Sequence, residues 1–229
     1  MMKKGKLYGI GVGPGDPELL TLKACRLLEQ IDYIAFPGKT KETTYACQII
    51  EKICENYRDK QFIPCPVKMT KNRDILEQNY ESAAEKISRV LLQGADVAFV
   101  TIGDPTIYSS YLYVHKKIQQ RGFDAELING IPSFCAAAAQ LNTGLCERKE
   151  QMHLIPSSYE VDKAMKLSGT KVFMKAGKQI AQIQNLLDEE TMEVYMIENC
   201  GMDNQKISRE ISDISEIPGY LTLIVVKDK

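Results

Sequence analysis

Apolar positions along the chain follow two rhythms. Short, nearly continuous apolar runs read as buried strands, and longer stretches with apolar residues every three or four positions read as amphipathic helices. Residues 6–12 form a strand that Gly13-Pro14-Gly15-Asp16-Pro17 turns. Leu19, Leu20, Leu22, Ala24, Leu27 and Leu28 then give a helix with a wide apolar face. Residues 33–36 are a second strand, stopped by Pro37-Gly38. The pattern predicts a helix over 44–57, extended chain over 62–66 and a long helix over 72–93 that Gly94 ends. Residues 95–102 are a nearly unbroken apolar run, followed by Gly103-Asp104-Pro105-Thr106-Ile107-Tyr108 and a helix to Gln120.

Beyond Arg121-Gly122-Phe123-Asp124 the balance shifts toward strands. These are expected at 125–128, 152–155, 171–174, 194–197, 206–211 and 220–226, with helices at 134–141, 161–167 and 180–187. Alternating strands and helices mean a parallel sheet. The expectation is an α/β fold of two α/β domains, 1–122 and 123–229, with a ligand cleft between them. No internal repeat or low-complexity segment interrupts the pattern.

Composition narrows the chemistry. Of 229 residues, 44% are hydrophobic and 26% charged, as in a globular protein with a real core. A net charge of −1 argues against a nucleic-acid-coating protein. The seven cysteines include no Cys-x-x-Cys pair and the chain has two histidines, so no metal site or disulfide framework is expected. Free buried thiols in a reducing cytoplasm fit best. Residues 7–12 are too short and glycine-broken for a signal peptide, and no apolar run reaches the ~20 residues of a membrane span.

The Gly-Asp-Pro stretch carries the first candidate site, because ligands of open α/β sheets bind beyond the carboxyl ends of strands. Gly103 lets a ligand approach the backbone, while Asp104 suits a helix N-cap and Pro105 a first helical position. The string Gly9, Gly11, Gly13, Gly15 invites a dinucleotide reading. The second strand ends in Phe36-Pro37-Gly38 without the acid a ribose needs, and Pro14 lacks a backbone donor, so that reading fails. No Gly-Lys-Ser or Gly-Lys-Thr follows, which excludes a P-loop.

Taken together, Val12-Gly13-Pro14-Gly15-Asp16-Pro17, Gly103-Asp104-Pro105, Gly130-Ile131-Pro132-Ser133, Phe173-Met174-Lys175 and Glu198-Asn199-Cys200-Gly201 resemble the tetrapyrrole methylases, the class III S-adenosylmethionine-dependent methyltransferases. The likeness spans nearly the whole chain with the motifs in matching order. Within the family, Gly103-Asp104-Pro105-Thr106-Ile107-Tyr108 and Gly130-Ile131-Pro132-Ser133-Phe134 are most similar to members that methylate carbon 20 of precorrin-2 or cobalt-factor II on the way to cobalamin. The resemblance implies a cytoplasmic homodimer with S-adenosylmethionine folded between two domains. It implies cofactor contacts at Pro14, Gly103, Asp104, Ile107, Ser133, Phe134, Met174 and Cys200, with Thr106, Ala176, Leu221 and Thr222 as further contacts. On it, the Asp104 carboxylate holds a polar or cationic part of the cofactor, while Phe134 and Met174 offer apolar surface to adenine. Members acting on uroporphyrinogen III carry an Asp where Pro37 stands here, which disfavours that activity and leaves the acid–base residues unassigned.

The implied reaction transfers a sulfonium methyl to a macrocycle carbon and needs no enzyme nucleophile. A substrate rich in carboxylates calls for cations, with candidates Lys39, Lys41, Arg148, Lys149, Lys175 and Lys178. Tyr108 at the helix mouth is the substrate-side candidate, and Tyr111 belongs to the core. The competing expectations are a family member acting on a later corrinoid or a non-tetrapyrrole target, and a cofactor-binding regulator without turnover.

Overall fold

The computed structural model describes residues 3–68, 70, 72–156, 158–188, 190–210 and 219–229. The chain divides into two compact units, 1–132 and 133–229.

The first unit is built on five strands: β1 (Leu7–Gly11), β2 (Tyr33–Phe36), β3 (Gln61–Pro64), β4 (Val97–Thr101) and β5 (Ala125–Ile128). Their order is β3-β2-β4-β1-β5 and every pairing is parallel. β4 is buried at all five positions, as its unbroken apolar sequence predicts. Helices α1 (Leu22–Gln30) and α2 (Tyr45–Glu51) pack in one core through Ala24, Leu28, Ile49 and Ile50. Helices α3 (Arg73–Leu92) and α4 (Tyr111–Gln120) pack in another through Ile87, Leu91, Tyr111 and Val114. The connection leaving β1 runs toward β2, and that leaving β4 runs toward β5 on the other side. β1 and β4 are neighbours, so their carboxyl ends form the switch point where such sheets bind ligands.

Local chemistry sets the helix boundaries. Asn72 caps α3 by accepting hydrogen bonds from the Asp74 and Ile75 amides, and Gly94 follows it at φ +84°. The first helix is shorter than its apolar pattern: Pro17–Leu19 is a 3-10 turn, Leu20 is extended, and Thr21 starts α1 afresh by accepting from the Ala24 amide. Leu22 consequently projects into solvent at 82% exposure rather than joining the apolar face. α2 likewise stops at Glu51, before a separate 3-10 turn at Tyr57–Asp59.

β5 corrects the expected division of the chain. It pairs with β1 and so completes the first sheet. Arg121-Gly122 closes α4, with Gly122 at φ +75°, and is not an interdomain joint.

The second unit contains α5 (Ser133–Leu141), β6 (Met152–Pro156), α6 (Val161–Met165), β7 (Thr170–Met174), a 3-10 turn (Ala176–Gln179), α7 (Ile180–Leu186), β8 (Met192–Glu198), β9 (Lys206–Ser208) and β10 (Thr222–Asp228). The sheet order is β6-β7-β10-β8-β9. β6 and β7 are parallel and the remaining pairs antiparallel, so this sheet is mixed. Phe173, Ile224, Val226 and Ile183 lie in its core. Of the strand expected over 206–211, the part at Lys206–Ser208 forms, and Ile211 lies outside the described residues. No helix among the described residues is long and apolar enough to cross a membrane.

Candidate functional site

In the first unit, three sequence motifs meet at the switch point. The amide of Gly103 donates to the Gly13 carbonyl at 2.7 Å and the Gly13 amide donates back to Gly103 at 3.3 Å. This isolated antiparallel bridge ties the loop after β1 to the loop after β4. Gly11 ends β1 beneath it. A methyl group there would lie 2.6 Å from the Gly103 carbonyl oxygen, 2.7 Å from the Gly130 amide nitrogen and 2.8 Å from the Pro105 ring. Only glycine lets the turns after β4 and β5 close over the end of β1.

Asp104 fastens that closure. Its carboxylate is buried, with the residue 7% exposed. Oδ1 accepts from the Thr106 amide at 2.8 Å and the Thr106 hydroxyl at 2.5 Å. Oδ2 accepts from Asn129 Nδ2 and from the Gly130 amide, both at 3.1 Å. Burial pushes this carboxyl up, but the hydrogen bonds from Thr106, Asn129 and Gly130 together outweigh it and hold it below the ordinary value of 3.8. The carboxylate therefore closes the turn on itself and reaches across β1 to the end of β5. It does not cap a helix: α4 starts at Tyr111, and Tyr108 at φ +46° breaks the helical path before it. Thr106, expected as a cofactor contact, has its amide and hydroxyl engaged by Asp104.

Gly103 is buried and its carbonyl oxygen belongs to this packing, but the space beside its α-carbon is open. Its φ is +71°, and a methyl group built on it would meet no atom within 4 Å. Pro14 is buried in the adjoining turn and Ile107 half-buried in the other. The switch point thus has a tight lower layer, Gly11, Gly130 and Asp104, and an open side at Gly103. That open side is the observation that fits a ligand approaching the backbone. Tyr108 is 51% exposed just beyond it.

In the second unit, five expected contacts gather at one end of the three central strands of the sheet. Met174 ends β7 opposite Leu223 of β10, and Thr222 lies opposite Glu198 at the end of β8. The Asn199 amide donates to the Leu221 carbonyl at 3.0 Å. Ala176 opens the 3-10 turn beyond Met174, and Cys200 follows Asn199. Burial pushes the Cys200 thiol up to about 11, so it stays protonated at neutral pH. Lys175 and Asn199 have φ of +58° and +49°. Left-handed backbone at residues other than glycine costs energy and clusters where function over-determines the chain, and both residues lie at this end of the sheet. Ser133 and Phe134 form the first turn of α5, with Phe134 buried.

Within the second unit, Arg148 and Lys149 lie apart from Lys175, and each unit's cationic candidates have their own surroundings. Lys41 lies over the rings of Phe62 and Tyr57, at 4.3 and 5.2 Å. Lys175 lies over Tyr220 at 5.2 Å. Arg148 and Lys149 line an open hollow of about 610 Å³ with Gly169 and Asp228, at the end of the second sheet away from Met174. All seven cysteines are free, and Cys135 and Cys146 are exposed rather than buried. Among the described residues no cluster of His, Cys, Asp or Glu could hold a metal ion. Asn129 was not singled out by sequence; the available signal was an Asn-Gly pair leaving a short strand.

A sequence profile of the tetrapyrrole (corrin/porphyrin) methylases matches residues 6–215. The chain is 31% identical over 226 residues to a probable cobalt-precorrin-2 C(20)-methyltransferase of Methanocaldococcus jannaschii, covering 97% of this chain and 96% of that protein. It is 26% identical over 233 residues to a precorrin-2 C(20)-methyltransferase of Sinorhizobium sp, covering 97% and 95%. The X-ray structure of a cobalt precorrin-4 methyltransferase superposes with a TM-score of 0.74 at 20% identity, over 97% of this chain and 94% of that one, a likeness of fold. The motif loops that the sheet order brings together are the ones by which the sequence resembled a family, and the match runs along nearly the whole chain: the protein belongs to the tetrapyrrole (corrin/porphyrin) methylases.

Proposed function

We propose that this chain is a C-methyltransferase that carries a methyl group from S-adenosylmethionine to carbon 20 of precorrin-2 or of its cobalt-bearing counterpart, in cobalamin biosynthesis. The observation that carries this reading is the 31% identity, end to end, with a probable cobalt-precorrin-2 C(20)-methyltransferase. When bound, the donor supplies an already activated sulfonium methyl. The protein's task is then alignment and exclusion of water, and alignment alone can contribute ~7–11 kcal/mol in favourable cases.

Each unit contributes groups to donor binding on this reading. From the first come Pro14, Gly103, Asp104, Thr106 and Ile107, with the open side of Gly103 admitting the ligand to the backbone and Asp104 and Thr106 acting through the turn they hold. From the second come Ser133, Phe134, Met174, Ala176, Cys200, Leu221 and Thr222. Phe134 and Met174 give apolar surface to the adenine, and Cys200 contributes bulk rather than a thiolate. Tyr108 faces the macrocycle. The protein works in the cytoplasm as a homodimer, which light scattering checks directly.

The deciding experiment is incubation with methyl-labelled S-adenosylmethionine and either metal-free or cobalt-loaded precorrin-2. Label on carbon 20 of one macrocycle supports the reading and names the metal state. Absence of transfer to both, from folded protein, overturns it.

A further inference from the structure

Asp104 has no acceptor position left for a ligand. A carboxylate offers about four lone-pair sites, and Thr106, Asn129 and Gly130 fill four of them with donors at 2.5–3.1 Å. Two of those donors come from the far side of β1. The strand order β4-β1-β5 puts a full strand between Asp104 and residues 129–130, and the gap is bridged where Gly11 carries no side chain. Asn129 is also tied backwards: its carbonyl accepts from the Thr21 hydroxyl, at the start of α1, at 3.5 Å. Three loops of the switch point therefore share one small polar junction. Gly103, whose backbone is the open face, sits directly before the residue that fastens it.

We propose that Asp104 and Asn129 form a latch across the end of β1, and that Asn129 is a positioning residue for donor binding through its grip on Asp104, without touching the donor itself. The proposal rests on the S-adenosylmethionine reading above for its ligand and on the hydrogen bonds for its geometry. An Asp that contacts the donor and an Asp that holds a loop predict different behaviour of its partner. A donor contact at Asp104 gives Asn129 no role. A latch makes Asn129 sensitive and makes the pair exchangeable. In Asp104→Asn, an amide NH2 turned to this side meets the Gly130 NH donor against donor, and Asn129 must turn its amide over to offer it Oδ1. Adding Asn129→Asp restores an acceptor opposite that NH2 and recovers one bond of the junction.

The test compares wild type, Asn129→Ala, Asp104→Asn and the Asp104→Asn/Asn129→Asp double variant. Thermal unfolding without ligand and calorimetric titration with S-adenosylhomocysteine are measured for each. The latch predicts a lower Tm and at least three-fold weaker binding for Asn129→Ala. It predicts ten-fold or greater weakening for Asp104→Asn, with both Tm and affinity partly regained in the double variant. Asn129→Ala at wild-type Tm and affinity, or a double variant no better than Asp104→Asn, overturns it. If wild type itself fails to bind S-adenosylhomocysteine, the donor reading falls and the positioning role with it. The unfolding series then still decides whether the latch exists.

Discussion

Gly11 and Gly103 are two residues of one junction, and alanine at each should fail in opposite ways. At Gly11 the added methyl meets three atoms at 2.6–2.8 Å, two of them backbone. Ordinary contacts need several tenths of an ångström more, so the ends of β4 and β5 must part. Overpacking of this kind costs about 1–3 kcal/mol. Parting also stretches the bonds from Gly130 and Asn129 to a charged carboxylate, worth about 1.5–3 kcal/mol each. With partial relaxation the total is roughly 3–5 kcal/mol, a third or more of a typical domain's stability. At Gly103 the methyl meets nothing within 4 Å, and the cost is the left-handed backbone alone, about 1–2 kcal/mol. On the proposed reading of the site, that methyl enters the space through which the donor reaches the backbone. Urea unfolding and titration with S-adenosylhomocysteine separate the two effects. Gly11→Ala should lose roughly 3–5 kcal/mol of stability. Gly103→Ala should keep most of it while binding at least ten-fold more weakly. Equal destabilisation by both variants, or full-strength binding to Gly103→Ala, refutes the two-layer description of the switch point.

Other outcomes follow from the same physical terms. Lys171 is 1% exposed and pairs with Asp228, so Asp228→Ala should destabilise toward the low end of the ~3–5 kcal/mol of a broken buried pair, because Asp228 is itself partly solvated. Adding Lys171→Met should return much of that loss in urea unfolding; no recovery would show that the pair is not what stabilises this end of the sheet. Asp104 has a depressed folded pKa, so its stabilising contribution is present above the ordinary carboxyl range and disappears as pH falls through the folded value. The Tm gap between wild type and Asp104→Asn should therefore be constant near neutral pH and narrow in acid, and a gap that widens in acid contradicts the assignment. Burial pushes the Cys47 and Cys65 thiols up to about 12, so a thiol reagent at neutral pH should label the exposed Cys135 and Cys146 first and reach Cys47 and Cys65 on unfolding. Early labelling of Cys47 would show that its core opens.

The long periodic elements were legible in the sequence because local signals agreed. The helix expected over 72–93 forms as Arg73–Leu92, with Asn72 and Gly94 at its ends. β4 was legible from its unbroken apolar run. What failed depended on partners distant in the chain. The affinity of 125–128 for β1 cannot be read from four residues whose alternation suits either sheet. The start of the first helix was misplaced because Thr21 recaps it, and periodicity does not register a cap inside an apolar stretch. Asp104 before a helix with Pro105 beside it looks like a cap, and the competing donors on Asn129 and Gly130 lie 25 and 26 residues away. The five motifs identified the family because each marks a turn, but the glycines in and beside them divide once packed: Gly130, with Gly11 just before the first motif, is there for closeness, Gly103 for the open space beside it.

In each unit the shifts of the titratable groups bear on mechanism. Cys200 and Tyr111 are pushed by burial toward their protonated neutral forms, and burial lowers His115 toward its neutral form as well. Asp104 is held ionised, with its oxygens occupied from within. Tyr111 and His115 satisfy each other, phenol to Nδ1 at 3.0 Å, inside the core with α3. A site that had to create a nucleophile would show the reverse, a thiol or amine driven toward its reactive form beside a base. Methyl transfer from a sulfonium to an electron-rich ring carbon asks for none of this, because the donor is activated before it arrives. What such a reaction demands is a backbone surface that does not move, and a buried carboxylate spanning the ends of three neighbouring strands supplies that rigidity.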